Sequence, residues 1–257
     1  MIKYKSPREI ELIHKAGQIL GESLRLVANS IKPNITTKSL DELVATYIKG
    51  KGGIPAFKGY RGYPSNICVS INEEVVHGIP SKRLLKESDI VSVDIGVCYK
   101  NYYADAAITL PVAKITRQAQ QLIDVTKEAL DLAINKVADG IKLSEISATI
   151  QNYVESNNFS VVRDLVGHGI GSSIHEEPQI PNYVDSKRGE ENNIILKEGM
   201  VLAIEPMVNE GTYEVETLPN GWTVITRDRK LSAHFEHTIL VEKNGRKVLT
   251  KIDANNN

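Results

Sequence analysis

The most constraining stretch of this chain is DIVSVDIGVCYKNYYADAAITL, residues 89–110. Two apolar runs flank a polar step at Lys100-Asn101, the pattern of a β-hairpin, yet each run carries an aspartate. Val91, Val93, Ile95 and Val97 alternate with Ser92, Asp94 and Gly96. This period of two puts Asp94 on the face of small and polar side chains. On the return strand Asp105 shares a face with Tyr103, Ala107 and Thr109. A two-residue turn at Lys100-Asn101 pairs Asp94 with Ala107 and makes Asp105 its diagonal neighbour. Any turn of even length keeps both acids on one face. Carboxylates held that close repel, so one takes up a proton or a cation lies between them. The plainer alternative places one acid at a strand end and the other against a lysine, but acids in apolar strands are rarely left without a partner.

The anomaly recurs in the second half of the chain. In GMVLAIEPMV, Glu205 ends an apolar strand before Pro206, which cannot donate to a ladder. In SAHFEHTILV, Glu236 alternates with His234 and Thr238 in an expected strand. His168 sits among Gly167, Gly169 and Gly171 in an expected loop, and His175 follows seven residues later. Singly, each is best read as a satisfied core polar group. Together, four acids and a histidine without sulfur make a ligand set suited to Mn, Fe, Co or Zn rather than to a structural zinc. Two such ions ~3.5–4 Å apart share carboxylates and activate a water, so the expected chemistry is metal-assisted hydrolysis.

The rest of the chain reads as an ordinary globular protein, 257 residues with 41% hydrophobic and 25% charged residues. A net charge of -1 gives no reason to expect nucleic acid or an anionic membrane as partner. No run approaches the ~20 apolar residues that cross a bilayer, and the charged, amphipathic start is not a secretory signal. Cys68 and Cys98 are the only cysteines and form no disulfide framework, which fits a cytoplasmic protein. Ser6-Pro7-Arg8-Glu9 predicts a capped helix, and NITTKSLDELVATYIKGKGG a second ending near Gly50. After Pro111 the order repeats, with a helix expected to run to Gly140, another at LSEISATIQNYVESNN, a short strand, a histidine and two acid-bearing strands. The chain therefore reads as a single catalytic α+β domain over 1–257, built as pseudo-symmetric halves, 6–111 and 112–242, with a frayed tail at 252–257. The segments SKRLLKESD and VEKNGRK are expected to be solvated loops.

Five pieces, SINEEVVHGIP, VSVDIGVCYKNYYADAAITL, GHGIGSSIHEEPQIPNY, GMVLAIEPMV and SAHFEHTILV, come in one order over roughly Ser6 to Val241. In this the chain resembles the type I methionine aminopeptidases of the pita-bread metallopeptidase fold, in their minimal bacterial-style form. The resemblance implies a curved antiparallel sheet flanked by helices, with a dinuclear centre in the middle. It implies Asp94, Asp105, His168, Glu205 and Glu236 as ligands, Asp105 and Glu236 bridging two ions. It implies His77 and His175 as catalytic side chains that contact substrate, and Glu205 as proton shuttle. It implies a pocket for the Met side chain lined by Tyr60, Tyr63, Cys68 and Trp222, with Phe57 and Ile174 nearby. Ile174 departs from the aromatic residue expected before the second histidine, and His234 from the expected Gln.

The implied substrate is the N-terminus of a nascent polypeptide with a small second residue, met by a monomer in transient contact with the ribosome. Xaa-Pro aminopeptidases and dipeptidases of the same fold are the alternative enzyme class. They carry an N-terminal domain for which this chain leaves no room. A binding module of the same fold is the alternative outside enzymes, disfavoured because all five ligand positions hold acid or histidine.

Overall fold

The computed structural model describes residues 1–184 and 194–251. The expected frayed tail lies outside the described residues. The first half begins with helix α1 (Pro7–Ser30), whose N-terminus is closed by the expected capping box of Ser6 and Glu9. Its stripe of Ile13, Ala16, Leu20, Leu24 and Val27 is buried, each large apolar side chain contributing about 1.5–3 kcal/mol. Helix α2 (Thr37–Gly50) is capped by Thr36. Strands β1 (Ile54–Pro55), β2 (Cys68–Ile71), β3 (Glu74–Val76), β4 (Ile90–Tyr99) and β5 (Tyr102–Pro111) follow.

The second half opens with α3 (Arg117–Lys136) and α4 (Leu143–Ser156). Its strands are β6 (Ser160–Val161), β7 (Val166–Gly169), β8 (Glu176–Pro181), β9 (Val201–Ile204), β10 (Met207–Asn209), β11 (Val215–Thr217), β12 (Val224–Thr226), β13 (Ser232–His234), β14 (His237–Glu242) and β15 (Gly245–Val248). Helix α3 stops short of Gly140. Val137 leaves the helix with extended dihedrals and buries its side chain, and the Gly140 N–H is spent on Leu196 O at 2.9 Å.

The paired strands are all antiparallel, in sheets ordered β1-β4-β2 with β5 on β4, β13-β10-β6, β11-β12-β3 and β15-β14-β9-β7-β8. Two apolar cores mirror the two halves. One gathers α1 and α2 over β2, β4 and β5. The other gathers α3 and α4 over β9 and β14. The helices thus cover one side, and the acid-bearing faces turn to the other.

Three sequence expectations change in the fold. His168 lies on strand β7, between β8 and β9, and not in a loop. Glycine at 167 is what admits this, because a Cβ there would collide with the Ala203 carbonyl of the neighbouring strand. The segment around Glu236 is two strands, not one: β13 pairs with β10 and β14 with β9. Phe235 and Glu236 fill the gap where the chain changes sheets. VEKNGRK is a hairpin, Glu242 opposite Gly245, and SKRLLKESD buries Leu85 and Asp89.

Candidate metal centre and active site

The hairpin closes as its sequence demands. Tyr99 pairs with Tyr102 across Lys100 and Asn101, both at positive φ, the signature of a type I′ turn. The register then places Asp94 opposite Ala107 and Asp105 opposite Gly96, so the two acids are diagonal neighbours on one face. Glycine at 96 leaves room for the Phe57 ring, whose edge would stand 2.6 Å from a Cβ there.

The second half is bonded directly to this hairpin. Glu236 N–H donates to Ala107 O at 2.9 Å, and Ala107 N–H to Glu236 O at 3.3 Å. Thr238 Oγ1 accepts from Asp105 N at 2.9 Å and donates to Asp105 O at 2.8 Å. Thr109 Oγ1 makes the same pair of bonds to His234, each 2.8 Å. These bonds bring Glu236 to the two aspartates. Strand β9 ends at Ile204 and delivers Glu205, whose carbonyl is held by Asn182 Nδ2 at 3.0 Å.

Donor atoms from Asp105, His168 and Glu236 lie within 4.8 Å of one another, as do donors from Glu205, His234 and Glu236. Asp94 adjoins the first set. Burial pushes all four carboxyls up: Asp94 to about 7, and Asp105, Glu205 and Glu236 well above the usual range, the last three raised further by one another's charge and that of Asp94. His168 falls to about 4 and His175 to about 3, both chiefly through burial, so neither supplies the missing positive charge at neutral pH.

This cluster fits a metal. Among the described residues, six buried side-chain polar atoms lack a hydrogen-bond partner, and four of them are Asp94 Oδ1, Asp105 Oδ1, Glu236 Oε1 and His234 Nε2. Buried polar groups are normally satisfied, so this concentration of bare acceptors marks where a cation belongs. His168 is also prepared. Its Nδ1–H donates to Gly169 O at 2.9 Å, leaving the Nε2 lone pair free at 3.6 Å from Glu205 Oε1. A second hydrogen bond of this kind commonly orients a ligating histidine.

Above the acids is a cavity of about 180 Å³, below the ~300–1,000 Å³ of sites for drug-sized ligands and suited to one side chain. Phe57, Tyr60, Tyr63, Cys68 and Trp222 line it, with His77 and His175 beside the acids. Tyr63 is fixed by donating to Gly78 O at 2.9 Å and by an edge-to-face contact with Trp222 at 5.1 Å. Cys68 is fully buried and its thiol is pushed well up by burial, which makes it an apolar wall and not a nucleophile. His77 holds φ +60, a left-handed conformation uncommon outside glycine. Its pKa is lowered by burial. His175 is 2.8 Å from the Tyr60 hydroxyl through Nδ1, and its ring is 4.3 Å from that of His168.

Ile174 is a correction to the expected pocket. It does not line the cavity; the bend at 171–175 turns it into the first-half core, 2% exposed, while His175 faces the acids. Arg61 is the residue the sequence reading missed. It lines the cavity at positive φ with its guanidinium over the Tyr60 ring at 5.4 Å. A lone cation between two loop tyrosines was the available signal.

Residues 11–243 match the profile of metallopeptidase family M24. The chain belongs to this family: it is a hydrolase of the metal-dependent peptidase class. Methionine aminopeptidase 1 of Bacillus subtilis is 48% identical over 98% of this chain and 100% of its own length. Methionine aminopeptidase of Escherichia coli K12 is 45% identical over 97% of this chain and 94% of its own. The structure of methionine aminopeptidase from Thermotoga maritima superposes with a TM-score of 0.94 at 47% identity, covering 98% of this chain and all of that one. Prolidase from Pyrococcus furiosus shares the fold, with a TM-score of 0.76 at 22% identity, over 97% of this chain and 66% of its own. The pseudo-duplicated α+β pita-bread architecture expected from the sequence is the one observed.

Proposed function

We propose that this protein removes the N-terminal methionine from polypeptides whose second residue is small. Asp94, Asp105, His168, Glu205 and Glu236 would hold two divalent ions. The observation that carries this reading is the group of four clustered carboxylates, three of them (Asp94, Asp105 and Glu236) with a buried unpartnered oxygen, a charge that two divalent cations neutralise. Cobalt, manganese, iron and zinc all suit the donor set. When bound, the ions supply Lewis acidity and lower the pKa of water.

The chain's own residues do the rest. Glu205 accepts a proton from the attacking water and returns it to the departing amine. The Tyr60 hydroxyl is 2.8 Å from His175 Nδ1; in the tautomer protonated on Nε2 this hydroxyl donates to Nδ1, and His175 donates from Nε2 to the oxygen of the tetrahedral intermediate. His77 bonds the scissile amide. Phe57, Tyr60, Tyr63, Cys68 and Trp222 receive the methionine side chain, and the size of their cavity admits one residue. The 45–50% identity to methionine aminopeptidases over almost the whole chain favours this substrate over an Xaa-Pro peptide. Nascent polypeptides, met in the cytoplasm by a monomer in passing contact with the ribosome, are the fitting partners. Among the described residues no helix is long and apolar enough to cross a membrane.

The test is hydrolysis of Met-Ala-Ser, Leu-Ala-Ser and Ala-Pro-Ala by metal-stripped protein, with and without added Mn or Co. Metal-dependent release of Met from the first peptide alone is expected. Release of Leu as well withdraws the narrow specificity, cleavage of Ala-Pro-Ala alone overturns the substrate, and no cleavage by folded, metal-loaded protein overturns the activity.

A further inference from the structure

His234 has no part in the chemistry above, yet it stands inside the carboxylate cluster. The residue is 1% exposed, and its Nε2 has no hydrogen-bond partner. That nitrogen is 3.7 Å from Glu205 Oε2 and 4.0 Å from Glu236 Oε2. Both distances exceed the ~2.7–3.2 Å of a hydrogen bond. They match instead two donors sharing an ion: ligands each ~2.1 Å from one metal stand about 3.0–4.2 Å apart. Glu205 supplies an internal comparison. Its Oε1 is 3.6 Å from His168 Nε2 and its Oε2 is 3.7 Å from His234 Nε2, so its two oxygens face two imidazoles at nearly equal spacing. The backbone of His234 is clamped on both sides by the Thr109 hydroxyl, which holds the residue at the edge of the acids.

We propose that His234 is a metal ligand, forming with Glu205 and Glu236 a three-donor site for a divalent transition ion. Glu236 is then shared between this group and Asp105–His168. The inference rests on the reading of the cluster as a metal centre and adds a second imidazole to it. An N,O,O set of this kind selects Zn, Co or Fe over Mg and Ca, because imidazole is a softer donor than carboxylate or water.

The test uses the full chain, stripped and reloaded with Co(II) or Zn(II). X-ray absorption counts imidazoles from their multiple scattering, and calorimetric titration gives affinities, for the unaltered protein, His234→Gln and His168→Gln. The unaltered protein is expected to show two imidazoles, and each variant about half that scattering, with affinity lowered beyond the ~10–100-fold of an outer-shell partner. One imidazole in the unaltered protein, lost in His168→Gln, overturns the inference without any need for the His234 variant to fold. Unchanged scattering in folded His234→Gln overturns it too. Failure of the unaltered protein to bind either ion overturns the metal centre itself, an outcome distinct from the other two.

Discussion

The two halves of the molecule each bring two acids to the centre by different means. In the first, Asp94 and Asp105 ride on a hairpin whose register runs unbroken from Ile90 opposite Pro111 to Tyr99 opposite Tyr102. In the second, Glu205 stands just past the end of β9 and Glu236 in the gap between β13 and β14. A continuous ladder places a side chain through its own turn and pleat. A strand end places it only through what the chain meets next: Asn182 of its own half for Glu205, and Ala107, Asp105 and Thr109 of the other half for the segment around Glu236. The first pair is therefore built locally, whereas Glu236 in the second is placed by assembly of the two halves.

The strongest way to break this comparison is to remove one acid from each half. Asp105→Asn and Glu236→Gln are both expected to abolish hydrolysis of Met-Ala-Ser, far beyond the ~10–100-fold loss from an outer-shell partner. A survivor would show that its half is dispensable for the chemistry.

The next test concerns how the second half is held. Lys5 Nζ is 2.8 Å from Glu176 Oε2, both side chains 4% exposed, beside His175. Burial alone would raise Glu176, but its ion pairs and the Ser173 N–H hold it below the usual carboxylate range. Lys5→Met leaves that charge without its principal partner and is expected to cost about 3–5 kcal/mol in urea unfolding. A cost under about 1 kcal/mol would mean that the pair does not anchor this loop.

Asp94→Asn sharpens the account of the first half. Its carboxyl holds its proton more tightly folded than unfolded, with a pKa of about 7 against 3.8. The stability this confers is full below about pH 4 and is lost as pH rises through about 7. At pH 8 the metal-free Asn variant is expected to be more stable by about 1–3 kcal/mol, and the metal-saturated variant less stable than its parent. Thermal melts with and without metal decide it; the same sign in both would remove Asp94 from the ligand set.

The smallest effect is protonic. At pH 7 Asp94, pushed up to about 7, is only partly ionised, and Asp105 is raised in the same direction, so a metal displaces protons there, whereas His168, near 4, is already neutral. Binding is expected to release about one proton or more per protein and to weaken as pH falls. Calorimetry in buffers of different ionisation enthalpy measures this, and zero release would contradict the raised carboxyl values.

Much of this was legible in the residues alone. The Ser6–Glu9 box, the Lys100-Asn101 turn and the pairing of Asp94 with Ala107 all depend on neighbours in sequence or one strand away. Such features follow from local sterics and hydrogen bonding, so the pattern itself dictates them. The tertiary structure alone decided that the Glu236 segment breaks between sheets, that His168 joins a strand, that Ile174 turns to the core while Arg61 reaches the cavity, and that His234 enters the acid cluster. Each of these is set by a partner far along the chain, such as Ala107 for Glu236 or Ala203 for Gly167. Periodicity reports which face a residue occupies, and only assembly of the two halves determines what that face meets.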